Sequence, residues 1–236
     1  CPVHLHIYRS IIGAGLAGLT LALALAKRGI RCTVVEKQQS ITPSRWAILL
    51  YPQGMKIFDE LGVLSEITEL AIPLKTPQVE TVLGEVLAVL ETGLLFEPRW
   101  NYSLALGPSE IRQVLMRHAA SAGVEVLEGV EFLEVVRDPK EGHTVAGAKV
   151  ASKGEEFEIS CHLLVGADGY KSKVRSNFGS AVDSKDYSII VGHFVEYETS
   201  HTQDRFRMIL GDGYQVVILP CTKTKISVGL TEGGLT

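Results

Sequence analysis

Three glycines at 13, 15 and 18, within Ile11-Ile12-Gly13-Ala14-Gly15-Leu16-Ala17-Gly18, are the first residues whose types and spacing imply chemistry. Gly13 permits a tight turn, Gly15 lets backbone come close to a pyrophosphate, and Gly18 lets the following helix lie close against a sheet. The apolar run onward to Ala26 supplies that helix. Its N-terminus, around Leu16 and Ala17, offers free N–H groups and a partial positive charge to phosphates. After Gly29 a second strand, Arg31-Cys32-Thr33-Val34-Val35, ends at Glu36, which lies 18 residues beyond Gly18. A carboxylate there suits the hydroxyls of a ribose. Strand, turn, helix, strand and acid in register outweigh the reading of an ordinary turn with incidental glycines.

A second motif, Gly166-Ala167-Asp168-Gly169-Tyr170-Lys171-Ser172-Lys173-Val174-Arg175, follows an apolar strand at 161–165 and opens a helix. Glycine at a strand end allows close backbone approach, and Asp168 offers an acceptor to ribose or ribityl hydroxyls. Ser172 is placed to cap the helix, and Arg175 to anchor the loop by a salt bridge. Other candidates are weaker. His4 and His6 share a strand face but lack a third ligand, so no metal site is expected. The four cysteines show no metal-ligand spacing and read as reduced thiols of a cytoplasmic protein.

These motifs need elements to hold them. Val3 to Tyr8 alternates as a strand with one polar face, and Arg9 and Ser10 interrupt what should be a buried parallel strand. Met55, Ile57, Phe58, Leu61 and Leu64 mark the apolar face of one amphipathic helix. Residues 74–100 read as short antiparallel strands inserted into the first domain. Ser109 opens a helix carrying Ile111, Val114 and Leu115, and a small meander spans 132–159. The fold class is therefore α/β: a Rossmann-like domain with a parallel sheet at 1–178, interleaved with part of a β-rich domain at 179–236. Strands are expected there at 188–197, 206–210, 215–219 and 225–230. A net charge of -4 gives no reason to expect nucleic acid. The longest apolar run, Leu16 to Ala26, is too short to span a bilayer. Nothing in the sequence sets the oligomeric state.

Together the two motifs resemble those of the FAD-dependent aromatic hydroxylases, the single-component flavoprotein monooxygenases of the p-hydroxybenzoate hydroxylase type. GAGLAG at 13–18, Glu36 and GADGYKSKVR at 166–175 match that family's dinucleotide fingerprint, ribose acid and DG motif in order and spacing. The segment Arg45 to Gly62 is also similar. The resemblance implies FAD as cofactor and NADPH or NADH as co-substrate. It further implies O2 and a small aromatic or other apolar organic substrate, hydroxylated through a flavin hydroperoxide. No catalytic acid or base is then required, because the cofactor carries the chemistry. The cofactor-binding residues it implies are Gly13, Ala14, Gly15, Leu16, Ala17, Gly18, Glu36, Lys37, Arg45, Arg112, Asp168, Gly169 and Arg175.

Three departures accompany the resemblance, one of them Arg9 in the first strand. Pro108 stands where the family carries an arginine that touches FAD, which leaves Arg112, one turn later, as the substitute. The family's last motif, Gly-Asp followed by Ala-Ala-His and a proline, is absent, so the chain is expected to lack the C-terminal part. Gly211-Asp212-Gly213 does not supply it and reads as a hairpin turn. An epoxidase or flavin-dependent reductase on the same scaffold, or a truncated and inactive FAD-binding fragment, are the competing readings. His193 and Tyr214 fall on strands where packing explains them better than substrate contact.

Overall fold

The computed structural model describes residues 4–6, 9–43, 46–74, 76–89, 98–140, 144–179, 191–198, 205–222 and 225–232, with the backbone alone at 4–6, 191–198 and 232. The chain divides into two compact units, one of residues 1–42 and 112–183, the other of residues 43–111 and 184–236. Besides residues 184–236, the second unit takes in 43–111, a longer stretch than the 74–100 insertion expected from the sequence. One strand of that stretch pairs with a strand far along the chain, which local pattern cannot reveal.

The first unit carries a parallel sheet. β2 (Arg9–Ile12) pairs with β3 (Thr33–Glu36), β3 with β9 (Glu125–Glu128), and β2 on its other side with β13 (Leu163–Gly166). Helix α1 (Leu16–Ala26) connects β2 to β3 and buries Gly18, Leu19, Ala22 and Leu23. A second sheet joins β10 (Glu131–Arg137), β11 (Val145–Ser152) and β12 (Glu155–Ser160), with β1 (His4–His6) added parallel to β12. Between β11 and β12, Lys153 and Gly154 both take positive φ, 51° and 85°, as a primed two-residue turn requires. One apolar cluster (Ile12, Val35, Phe132, Val150, Ile159 and Val174 among its members) draws on both sheets and on α5 (Lys173–Asn177).

The expected first strand is thus two strands in two sheets. Residues 4–6 follow the alternating pattern into the meander sheet, and Arg9 starts a new strand instead of interrupting one. That position leaves Arg9 half-buried at the strand end, while Ile11 and Ile12 form the buried part. The strand before the second motif is likewise not fully buried: β13 is a sheet edge, and Leu163 is 52% exposed.

In the second unit β8 (Ser103–Leu106) lies between β4 (Ile48–Leu50) and β5 (Ile72–Leu74), antiparallel to both. The expected single amphipathic helix is two, α2 (Pro52–Glu60) and α3 (Leu64–Leu70), separated where Gly62 takes φ of 70°. Met55, Phe58, Leu61, Leu64 and Ile67 are buried, whereas Ile57 faces outward at 48% exposure. Six further strands make one sheet in the order β14-β17-β16-β15-β6-β7: β6 (Gln78–Thr81), β7 (Val86–Val89), β14 (Val191–Glu198), β15 (Arg207–Gly211), β16 (Tyr214–Pro220) and β17 (Lys225–Glu232). Asp212 and Gly213 form the two-residue turn between β15 and β16, with Gly213 at φ of 74°. Helix α4 (Pro108–Ser121) begins one residue before Ser109, with proline at the first helical position where its missing N–H costs nothing.

Candidate cofactor site

The turn between β2 and α1 is built by contacts that only glycine permits. Gly13 has φ of 107°, and a Cβ on it would run into the Ala167 carbonyl. A Cβ on Gly18 would collide with the carbonyl oxygen of Gly13, so this glycine seats the helix on its own turn. The Gly13 N–H donates to the Val35 carbonyl at 2.8 Å, and the Ala167 N–H to that of Ile12 at 2.7 Å. The glycine turn, the end of β3 and the second motif are thereby fastened together. Gly15 differs from its neighbours: it is the N-cap of α1 without a side-chain cap, and a Cβ there would meet nothing within 4 Å. Open space beside uncapped helix N–H groups is what a phosphate group needs.

Glu36 is buried at the end of β3. Its Oε2 accepts from the Ala14 N–H and its Oε1 from the Gln38 N–H, each at 2.8 Å. Each carboxylate oxygen keeps a further lone pair for a hydroxyl. Arg112, from α4, brings Nη2 to 3.5 Å from Glu36 Oε2 and donates from Nη1 to Gln38 Oε1 at 2.8 Å. Its Nε and Nη2 are buried with no hydrogen-bond acceptor.

The second motif uses two of its residues in ways the sequence did not specify. Asp168 lines the cavity, and most of its acceptor capacity is already engaged. Its Oδ1 accepts from the Ser172 hydroxyl at 2.6 Å, and its Oδ2 from the N–H groups of Lys173 at 2.7 Å and Val174 at 3.2 Å. The carboxylate is engaged in capping α5, together with Ser172, whose Oγ accepts from the Arg175 N–H at 3.0 Å. Arg175 forms no salt bridge with the loop; it donates to the Tyr170 carbonyl at 2.5 Å. The reason is local: a short helix that begins four residues after Gly169 exposes N–H groups that the nearest acid satisfies first.

A cavity of about 500 Å³ opens among these pieces, entirely within the first unit. Of the residues singled out in the sequence, Gly13, Gly15, Glu36, Lys37, Arg112, Asp168 and Gly169 line it. Ala14, Leu16, Ala17, Gly18 and Arg175 are not among the lining residues, and Arg45 lies outside the described residues, as does the side chain of His193. Tyr214 belongs to the second unit, where its ring lies against Gly211 across the hairpin. Gln38, Glu131, Phe132, Lys171 and Lys173 also line the cavity and were not singled out. Lys171 and Lys173 stood in the second motif and were legible there. Glu131 was not, because its partner Lys173 is 42 residues away, with Nζ donating to Oε1 at 2.6 Å. That bond, with the charge behind it, holds the Glu131 carboxyl below the usual glutamate range. Cys32 and Cys161, both free, are pushed above the usual thiol range chiefly by burial, and so stay protonated thiols.

The model of the FAD binding domain family matches residues 8–222 of the chain. An FAD-dependent monooxygenase of Aspergillus calidoustus is 31% identical over 169 residues, covering 70% of this chain and 34% of that protein. Para-nitrophenol 4-monooxygenase of Pseudomonas sp. (strain WBC-3) is 26% identical over 175 residues, covering 73% of this chain and 42% of that protein. Among solved structures, p-nitrophenol 4-monooxygenase from Pseudomonas putida DLL-E4 superposes with a TM-score of 0.86 at 22% identity, over 98% of this chain and 59% of that one. The flavin-dependent monooxygenase PieE, solved with FAD and substrate, gives 0.81 at 21% identity, over 100% of this chain and 44% of that one.

The family match and the glycine-lined cavity agree on a flavin-binding domain. The chain belongs to the FAD binding domain family, its cofactor is FAD, and its relatives are FAD-dependent monooxygenases. It spans between one third and one half of the length of these curated relatives. The residues present fit the group: open space at Gly15, uncapped helix N–H groups, the Glu36 carboxylate and the orphaned Arg112 donors face or flank one cavity.

Proposed function

We propose that this chain is the FAD-holding part of a monooxygenase that hydroxylates an aromatic or other apolar organic substrate at the expense of NADPH or NADH and O2. The observation that carries the reading is the convergence of the glycine turn, Glu36 and the second motif on one cavity. Bound FAD supplies the redox and oxygen-transfer chemistry. The chain's own residues bind and orient it. The α1 N-terminus, behind Gly13, Ala14, Gly15, Leu16, Ala17 and Gly18, receives the pyrophosphate, and Glu36 accepts from the ribose with Lys37 and Arg112 beside it. Asp168 acts by holding the Gly169 backbone at the cavity wall through its cap on α5, and Arg175 by fixing the Tyr170 carbonyl. Arg45 is the remaining cofactor contact in this reading. Small-molecule substrate, O2 and nicotinamide cofactor are its partners. No helix among the described residues is long and apolar enough to cross a membrane.

The test has two arms. Purified protein titrated with FAD should show the visible absorption of bound oxidised flavin, and a chain extended to the length of its relatives should form hydroxylated product for each NAD(P)H consumed. Protein that is colourless once free FAD has been removed by gel filtration overturns the reading. NAD(P)H oxidation without O2 uptake favours a reductase instead.

A further inference from the structure

Helix α5 lies along the outer edge of β10, the border strand of its sheet. An edge strand leaves its outward N–H groups without a ladder partner. The one at Val135 donates to Asn177 Oδ1 at 3.0 Å, and Asn177 Nδ2 donates to the Lys173 carbonyl at 3.0 Å. One neighbour needs an acceptor and the other a donor, and a side-chain amide supplies both. Arg137, two residues further along β10, donates to the Asn177 carbonyl at 3.4 Å. At the other end of the helix Lys173 Nζ donates to Glu131 at 2.6 Å.

Strand and helix both run to the cofactor cavity. β10 brings Glu131 and Phe132 to its lining, and the segment entering α5 brings Asp168, Gly169, Lys171 and Lys173. Between Phe132 and Glu134 the pairing of β10 with β11 shifts register. A bulge disrupts the ladder locally, so the lining end of β10 is held less firmly from the β11 side. The contacts with α5 restrain it from the other. Resting on the FAD reading above, we propose that Asn177 is a positioning residue for the cofactor. It is not itself among the lining residues. By tying α5 to β10 it fixes the spacing between two walls of the cavity. The Asp168 cap secures the start of α5 and Asn177 secures its end, which places the Gly169 loop relative to Phe132.

The experiment compares the wild type, Asn177→Ala and Asn177→Asp by FAD titration and by hydrogen exchange at the Val135 amide. Alanine removes both side-chain bonds and favours helix, so the fold is retained. Aspartate keeps an acceptor for Val135 and loses the donor to Lys173. In Asn177→Ala the Val135 amide should exchange faster and FAD affinity should fall about two- to tenfold, the size of one neutral hydrogen bond. Asn177→Asp should keep Val135 protected and bind FAD more tightly than Asn177→Ala. Faster exchange at Val135 with unchanged FAD affinity overturns the proposal, because the bond then serves the strand edge alone. Exchange at Val135 that does not change in Asn177→Ala overturns it too, as does aspartate binding FAD no better than alanine. A wild type that binds no FAD removes the FAD reading itself, whereas equal binding by all three proteins removes only the role of Asn177.

Discussion

The two compact units end their sheets in different ways. In the first, the edge strand β9 reads Glu-Val-Leu-Glu, with both glutamates exposed, a charged border that discourages further pairing. In the second, β7 reads Val-Leu-Ala-Val and all four residues are exposed, with Val82 and Leu83 of the preceding turn at 55% and 93%. The contrast extends inward. The first unit gathers Glu36, Arg112, Glu131 and Lys173 around a cavity, where each charge has work toward a ligand or its neighbour. The second places its most buried described ion pair between strands, where Glu80 receives Nε and Nη2 of Arg207. In the first unit four charged side chains meet at one cavity, whereas Glu80 and Arg207 of the second tie two strands together.

Substitution at the glycines should break the first unit most severely. Gly18→Val forces a branched side chain into the Gly13 carbonyl and is expected to cost about 3 kcal/mol or more, lowering the melting temperature by roughly 6–12 °C. Gly15→Val has open space and an ordinary φ of -76°, so the fold should survive within about 1 kcal/mol. Flavin affinity should nevertheless fall at least about a hundredfold, because the valine occupies the place of the pyrophosphate. Melting curves beside FAD titrations separate the two outcomes. If both variants unfolded alike, the distinction between a scaffold glycine and a ligand glycine would be lost.

Glu36→Ala comes next. The carboxylate accepts from Ala14 and Gln38 as well as facing the cavity, so its loss loosens the turn and removes the ribose acceptor together. FAD affinity should drop by about one to two decades, for roughly 1.5–3 kcal/mol. An unchanged dissociation constant would move the ribose site elsewhere.

A smaller effect is expected in the second unit. The Arg207 guanidinium, hydrogen-bonded to Glu80, holds that carboxyl below the usual glutamate range, and Glu80 in turn raises Arg207. A depressed carboxyl contributes stability above its unfolded value of about 4.3 and loses it as pH falls through the folded value. Glu80→Gln should therefore cost about 1–2 kcal/mol at pH 7, a modest figure because Arg207 is one-third exposed. The variant should lose part of the wild type's decline in melting temperature below about pH 4.3. Parallel melting curves of wild type and variant across pH 3–7 would refute the pairing as a source of acid sensitivity.

The same contrast explains what could be read from the sequence. The glycine turn, α1 and β3 were legible because their signals lie within a few tens of residues and each constrains the next. The second motif was legible as a turn and cap, but not the destination of the Asp168 carboxylate, which depends on how closely α5 follows Gly169. The Arg112 contact with Glu36 joins residues 76 positions apart; the resemblance named the two residues separately, and nothing in the sequence named their contact. In the second unit individual strands were visible by composition, whereas the parallel pairing of β6 with β15 was not. Glu80 and Arg207 are 127 residues apart, and nothing local in either strand names its neighbour. The break at Gly62 was hidden because Leu61 and Leu64 continue a helical spacing across it.

The smallest expected effect tests the open edge itself. Leu87 is 53% exposed at the centre of β7, so a charged side chain there displaces no described packing. Leu87→Lys should change stability by no more than about 0.5 kcal/mol and leave FAD affinity untouched, since the cavity draws on the first unit alone. An edge strand that no described strand pairs on its outer side, and that carries four exposed apolar side chains, is nonetheless a template for another chain, and an edge lysine is the usual guard against it. Light scattering against protein concentration should therefore fall in the variant while its melting curve stays in place. A melting temperature lowered by several degrees would mean that β7 is covered within the protein's own fold. Scattering that persists at the wild-type level would place self-association at another surface. Only a change in association without a change in stability preserves the contrast between a guarded and an unguarded sheet edge.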